Sequence, residues 1–170
     1  EGDTGTISNG VLEVTDVDNT AAQLTYTVTV EPTNGELTLT GSPISVGGTF
    51  TQADIDANLV SYVHNGSETT SDSFTFTVSD GVDGTIGATV FNITVNPVND
   101  APVADAGGPY KGDEGSLISL SASNSTDIDD TIVSYEWDLD NDGSFDDATG
   151  VNTTFVFNND DIYIVGVRVT

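Results

Sequence analysis

An alternation with a period of two runs through most of this chain and confines it to β-structure. In AAQLTYTVTV, Leu24, Tyr26, Val28 and Val30 fall on one side, and Thr25, Thr27 and Thr29 on the other. SDSFTFTVSD repeats the scheme, with Phe74, Phe76 and Val78 set against Ser73, Thr75, Thr77 and Ser79. Successive side chains of a strand point to opposite faces, so these runs predict half-buried strands with one apolar face and one hydroxyl-bearing face. TIGATVFNITV reads the same way, with Phe91, Ile93 and Val95 inward. SLISLSAS, IVSYEWDL, NTTFVF and DIYIVGVRVT continue the pattern, and Val133, Tyr135 and Trp137 share a face. Turn signals at Asn34-Gly35, Gly47-Gly48, Asp80-Gly81 and Asp142-Gly143 separate the runs. FTQADIDANLV departs from the rule. Thr51 can cap a helix start there, with Asp54 three residues on at the positive end of the dipole, which predicts one or two helical turns.

The expected fold is therefore all-β, with sandwich-type sheets. NPVNDAPV, residues 96–103, interrupts the alternation with Pro97 and Pro102, which cannot donate to a ladder and favour extended backbone. It reads as a short, stiff linker between two tandem β-sandwich domains, 1–98 and 99–170. The abrupt ends read as those of a piece of a longer protein.

Charge narrows the function. The 170 residues carry 28 acids against Lys111 and Arg168, a formal net charge of -26. No basic face can be assembled for nucleic acid or an anionic membrane, and no apolar run is long enough to insert into a bilayer. With no Cys, disulfides, thiolate metal sites and thiol nucleophiles are excluded. Low hydrophobicity with high net charge suits a disordered chain. Here, however, the acids form short clusters between β-branched and aromatic runs. Such a balance suits a saline medium or one rich in divalent cations.

The densest cluster is DLDNDGSFDD, residues 138–147. Carboxylates at alternate strand positions point the same way about 6.5–7 Å apart and repel unless a cation lies between them. Asp138, Asp140 and Asp142 match positions 1, 3 and 5 of a calcium loop, and Gly143 matches the sharp turn at position 6. Position 12 is Thr149 where an EF-hand has Glu, and no helices flank the loop, so this is not an EF-hand. Asp146 or Asp147 can supply the missing carboxylate. Calcium fits an all-oxygen, irregular site better than magnesium, which wants a strict octahedron, or zinc, which wants His or Cys. The competing reading is a solvated acidic hairpin. A D-x-D also occurs early in each half, as Asp16 and Asp18 in TDVDN and as Asp127 and Asp129 in STDIDD.

LEVTDVDN, LTYTVTVEPTNGELTL, FTQADIDANLVSYVHNGSETTSDSFTFTVSDG and FNITVNPVNDAPV resemble bacterial cadherin-like repeats of the chondroitin sulfate proteoglycan type. ADAGGPY, EGSLISLSASNSTDIDD, IVSYEWDLDNDGSFDDA and IYIVGVRVT resemble a polycystic kidney disease (PKD) type domain, an immunoglobulin-like sandwich. The resemblance implies calcium at the joints between tandem domains. In cadherins a D-x-N-D-N linker, a D-x-D and acids near the base of the preceding domain share the ions. Asn99 and Asp100 match the central N-D of that linker, while Pro97 and Ala101 replace its outer ligands, which implies fewer ions or weaker binding. Asp127 and Asp129 match the D-x-D of the following domain. Glu1 resembles the glutamate of the preceding domain's first strand, and Glu68 or Asp72 stands in for its second acidic motif. Asp16, Asp18 and Asp80 would form the far pole of the first domain.

Catalysis is not expected. A Ser/His/Asp set would have to use His64, at the end of a strand, and the Asp pairs have calcium-like spacing. Tyr135 and Trp137 have two readings, stacking on a sugar ring or filling a core as the Trp of immunoglobulin-like sandwiches does. The expectation is a non-enzymatic pair of calcium-binding modules in a large secreted or cell-surface bacterial adhesin, stiffened by calcium at its joints. Its partners would be neighbouring modules, surface glycans or other cell-surface proteins, with neither nucleic acid nor membrane insertion. The alternative is a carbohydrate-binding or spacer pair of a secreted polysaccharide-degrading enzyme.

Overall fold

The alternating runs become thirteen strands, and the one departure becomes a five-residue helix. The computed structural model describes residues 1–170 and divides into two units, Glu1–Val98 and Asn99–Thr170.

In the first unit, β1 (Thr4–Thr6), β6 (Val60–His64), β3 (Gly35–Leu39) and β4 (Ser42–Pro43) form one antiparallel sheet in that order. The second has the order β5 (Thr49–Thr51), β2 (Thr25–Val30), β7 (Ser71–Ser79), β8 (Thr85–Thr94). Their inner faces meet in one core. Leu37 and Val60 come from the first sheet, and Tyr26, Val28, Phe50, Phe74, Phe76 and Val78 from the second. Each large side chain removed from water in this way contributes about 1.5–3 kcal/mol. Tyr26 stacks on Phe50 with ring centroids 4.9 Å apart.

The helix α1 (Gln52–Asp56) begins with a capping box. Thr51 Oγ1 accepts from Asp54 N, and the Asp54 carboxylate accepts from Thr51 N at 2.8 Å. This fixes the entry of the turn and buries Ile55 completely. Buried Gln52 accepts from the Tyr26 hydroxyl at 2.6 Å and from Val14 N at 2.9 Å, tying the segment before β2 to the core. Burial, with Asp56 and Glu13 adding to it, pushes the Tyr26 hydroxyl up to about 12.

His64 is also a structural residue. Its Nδ1 accepts from Gly2 N and Gly66 N, both at 3.2 Å, and its Nε2 lies 2.9 Å from Thr69 Oγ1. The ring holds the chain entering β1 against the turn after β6.

Two inward expectations are corrected. Val30 is 54% exposed, because a β-bulge between Val28 and Val30 adds a residue to β2 opposite β7 and reverses the facing. Val133 is 81% exposed, because it precedes β10 (Tyr135–Asp138) and its N–H instead donates to Thr170 O.

In the second unit, β11 (Ala148–Thr149), β10 and β13 (Gly166–Val169) form one sheet in that order, and β12 (Asn152–Val156) pairs with β9 (Leu117–Ser121). Leu120, Ala122, Trp137 and Leu139 form the core, flanked by Tyr110, Ile118, Tyr135, Phe155 and Val167. DIYIVGVRVT pairs only from Gly166 onward. Its partner β10 ends at Asp138 and turns into the acidic loop, so Ile162 and Ile164 have no ladder and stay exposed.

Two outcomes test this packing. A Cβ on Gly35 would lie 2.4 Å from Val63 O and 2.6 Å from the Tyr62 ring, so Gly35→Ala should cost about 1–3 kcal/mol, read as a lower urea midpoint. Tyr26 is held neutral by folding, so its contribution is complete below about pH 10 and lost as pH rises toward 12. Thermal melts from pH 8 to 12 should show that loss, and Tyr26→Phe should flatten it.

Candidate metal centre

The site grows from the register of one hairpin. Glu136 faces Thr149 and Trp137 faces Ala148 across the β10–β11 pair. One step further, the same register sets Asp138 opposite Asp147, and cross-strand neighbours share a face. Asp147 N donates to Trp137 O at 3.1 Å, and Asp147 Oδ2 accepts from Leu139 N at 2.6 Å and Asp140 N at 3.2 Å. The acidic loop is thus closed by its last aspartate.

Within the loop, Gly143 adopts φ +89°, a left-handed conformation that suits glycine, and its N–H donates to Asp138 Oδ2 at 3.0 Å. Asp140 Oδ1 accepts from Asp142 N at 3.2 Å, and Asp142 Oδ1 from Ser144 N at 2.7 Å. One carboxylate oxygen from each of Asp138, Asp140 and Asp147 lies within 4.8 Å of the others. Asp140 and Asp147 are exposed, whereas Asp138 is only 4% exposed. Asp138 Oδ1 is buried with no hydrogen-bond partner.

A buried acceptor without a partner is costly and calls for an explanation. The Asp140 carboxyl is raised above its ordinary value, first by desolvation. The charges of Asp142, Asp147 and Asp138 add to the rise, and the Asp142 N–H opposes it. The donor set is all hard oxygen, and a divalent cation would satisfy Asp138 Oδ1 and reverse the local repulsion. These residues fit calcium. Asp138 and Asp140 converge as the spacing led one to expect, and Asp147, one of the two residues open for the further carboxylate, joins them, while Asp142 and Asp146 stay outside.

The other expected ligands sit elsewhere, and most accept backbone N–H groups. Asp16 Oδ1 accepts from Asp18 N and Asn19 N, and Asp80 Oδ1 from Val82 N and Gly84 N. Asp16 and Asp80 line a shallow cavity of about 230 Å³ with Val14, Leu24 and Ile86. Glu1 and Glu68 bring carboxylate oxygens within 4.8 Å of each other, and Glu1 Oε2 accepts from Val98 N at 3.3 Å. In the second unit, Asp127 Oδ1 accepts from Asp129 N and Asp130 N, Asp129 Oδ2 from Asp100 N, and Asn99 donates to Asp100 O.

Asp72 is a structural clasp. Burial pushes its carboxyl up, but the N–H groups of Thr33, Asn34 and Ser73 and the Tyr62 hydroxyl outweigh this and hold it below the ordinary carboxylate range. Trp137 is a core residue, fully buried with Nε1 donating to Gly150 O at 2.9 Å, and Tyr135 packs against the same core.

Two units, each built of antiparallel sheets and rich in acidic loops, with a Pro-containing segment between them in sequence, define a tandem β-sandwich pair. Residues 1–95 match the cadherin-like family, and residues 99–170 match the PKD domain. The chain belongs to the cadherin-like family, with a PKD domain following.

Among its relatives, human extracellular matrix organizing protein FRAS1 is 43% identical over 83 residues, covering 48% of this chain and 2% of the relative. Human FRAS1-related extracellular matrix protein 2 is 35% identical over 94 residues, 55% of this chain and 3% of the relative. Human chondroitin sulfate proteoglycan 4 is 40% identical over 81 residues, 48% of this chain and 3% of the relative. The chain thus spans only a few per cent of the length of these proteins. No solved structure gives a significant match. These relatives are named as extracellular matrix proteins and a proteoglycan. No helix is long and apolar enough to cross a membrane.

Asp72→Ala would leave the Tyr62 hydroxyl and the Thr33 and Asn34 N–H groups without their acceptor. It should cost about 2–3 kcal/mol, seen as a lower urea midpoint at pH 7. Its folded-state carboxyl titrates lower than the unfolded one. The stabilisation is therefore complete above about pH 4 and lost as pH falls through the lower folded value, so the gap between wild type and variant should narrow in acid.

Proposed function

We propose that this chain is a non-catalytic, calcium-binding pair of modules from a large secreted or surface-attached bacterial adhesin. It extends and stiffens that protein and contributes to adhesion. Two observations carry the calcium reading: one carboxylate oxygen from each of Asp138, Asp140 and Asp147 lies within 4.8 Å of the others, and Asp138 Oδ1 is buried with no hydrogen-bond partner. The adhesive setting is supported by relatives named as extracellular matrix proteins and a proteoglycan. The bacterial setting rests on the resemblance to bacterial cadherin-like repeats.

On the sequence resemblance, Asn99, Asp100, Asp127, Asp129, Glu1 and Glu68 are assigned to calcium shared along the linker, and Asp16, Asp18 and Asp80 to ions shared with a preceding module. Weak sites of the extracellular-module type fill at about 10⁻⁴–10⁻³ M calcium. An ion that binds only the folded arrangement raises stability by mass action. Partners are neighbouring modules and surface glycans or proteins.

Small-angle scattering and thermal melting, each with calcium at a few times the dissociation constant, with magnesium, and with a chelator, test the reading. Calcium should raise the melting temperature and lengthen the particle, magnesium should do less, and the chelator should reverse both. An unchanged scattering curve and melting temperature would reject it.

A further inference from the structure

We infer that the 138–147 loop of the PKD domain holds a calcium ion of its own, ligated by Asp138, Asp140 and Asp147, which fastens the β10–β11 hairpin independently of any ion shared between modules. The inference rests on the calcium reading above, but it names a site inside one domain and a different role.

Two observations carry it independently. The first is the convergence of one oxygen from each of three carboxylates within 4.8 Å, produced by the hairpin register. The second is the state of Asp138. The residue is 96% buried by the complement of its 4% exposure; its Oδ2 is occupied by Gly143 N, and its Oδ1 has no partner. A solvated acidic hairpin explains the exposed Asp140 and Asp147. It does not explain a carboxylate oxygen taken out of water with nothing to receive it.

Three carboxylates offer three to six oxygens, depending on how many bind through both, and water completes the six to eight that calcium takes. Magnesium demands a stricter octahedron, and the cluster has neither the His nor the Cys that zinc prefers. Asp138 is the last residue of β10 and Asp147 directly precedes β11, so an ion on both ties the two ends of the loop together. Asp142 and Asp146 lie outside the convergent set and supply internal controls.

Trp137, the one tryptophan, precedes Asp138 and makes the site self-reporting. Consecutive Cα atoms are about 3.8 Å apart, within range of energy transfer to a bound terbium ion. The experiment uses the 170-residue chain, with terbium as the luminescent probe and calcium counted by isothermal titration. Excitation of Trp137 should give terbium emission that calcium displaces. Asp147→Asn, which keeps an acceptor for Leu139 N, should abolish that emission and lower the calcium count by one, and Asp138→Asn should do the same. The Asp142→Asn/Asp146→Asn double variant should retain both signals. Near-ultraviolet circular dichroism reports whether the variants keep their packing. If Asp138→Asn loses it, the exposed ligand change Asp140→Asn takes its place. Should the full calcium count and the sensitised emission survive in Asp147→Asn and Asp140→Asn, this site is wrong while calcium binding elsewhere stands. Should the wild-type chain bind no calcium at all, both readings fall.

Discussion

Like charges crowded on a small surface, with two basic side chains to answer 28 acids, set the terms for everything else in this molecule. Arg168 is committed to Glu136, at 2.7 Å, and to the face of Phe145. The remaining carboxylates cannot rely on side-chain cations, and the fold answers many of them with backbone. Asp16, Asp72, Asp80, Asp127, Asp140, Asp142 and Asp147 each accept from main-chain N–H groups, mostly within the turn they occupy. Each of those donors would otherwise need water, so the same bond shapes the turn and quiets the charge. Against this background Asp138 Oδ1 is the exception, an acid whose buried oxygen no amide reaches.

The two cores are built with different margins. In the cadherin-like unit, aromatic residues from neighbouring strands stack and tilt against one another across Tyr26, Phe50, Phe74, Phe76 and Phe91. In the PKD unit, four fully packed residues centre on Trp137, and many apolar side chains on the flanking segments remain in solvent. Surface-to-volume scaling makes a unit of that size hard to stabilise by burial alone. A smaller hydrophobic contribution leaves more weight on hairpins, turns and the contacts that close them.

The alternation was legible where a strand keeps its facing. β7, with Phe74, Phe76 and Val78 all buried, and β2 as far as Val28 sit where the pattern puts them, and the Thr51–Asp54 spacing marked the helix start. Legibility failed where pairing, rather than facing, decides. Nothing in TYTVTV announces the bulge that turns Val30 outward, because a bulge is a property of two strands together. The same limit applies to the acidic loop. Spacing selected Asp138, Asp140 and Asp142, since a motif counts residues along one strand. Asp146 and Asp147 were both open for the further carboxylate, and the choice of Asp147 is made by the register across the hairpin, which could not be read before the β10–β11 pairing was known. Trp137 could be read either way from its neighbours until its burial and its bond to Gly150 O were seen.

β1 is three residues long, pairs with β6 alone, and has its leading end braced by His64 through Gly2. A ladder this short has few backbone bonds of its own. The imidazole brace at Gly2 and the buried Ile7, whose N–H donates to Val60 O, hold it from either end. The edge of the sheet is thus anchored by the residues beside the strand more than by the strand itself.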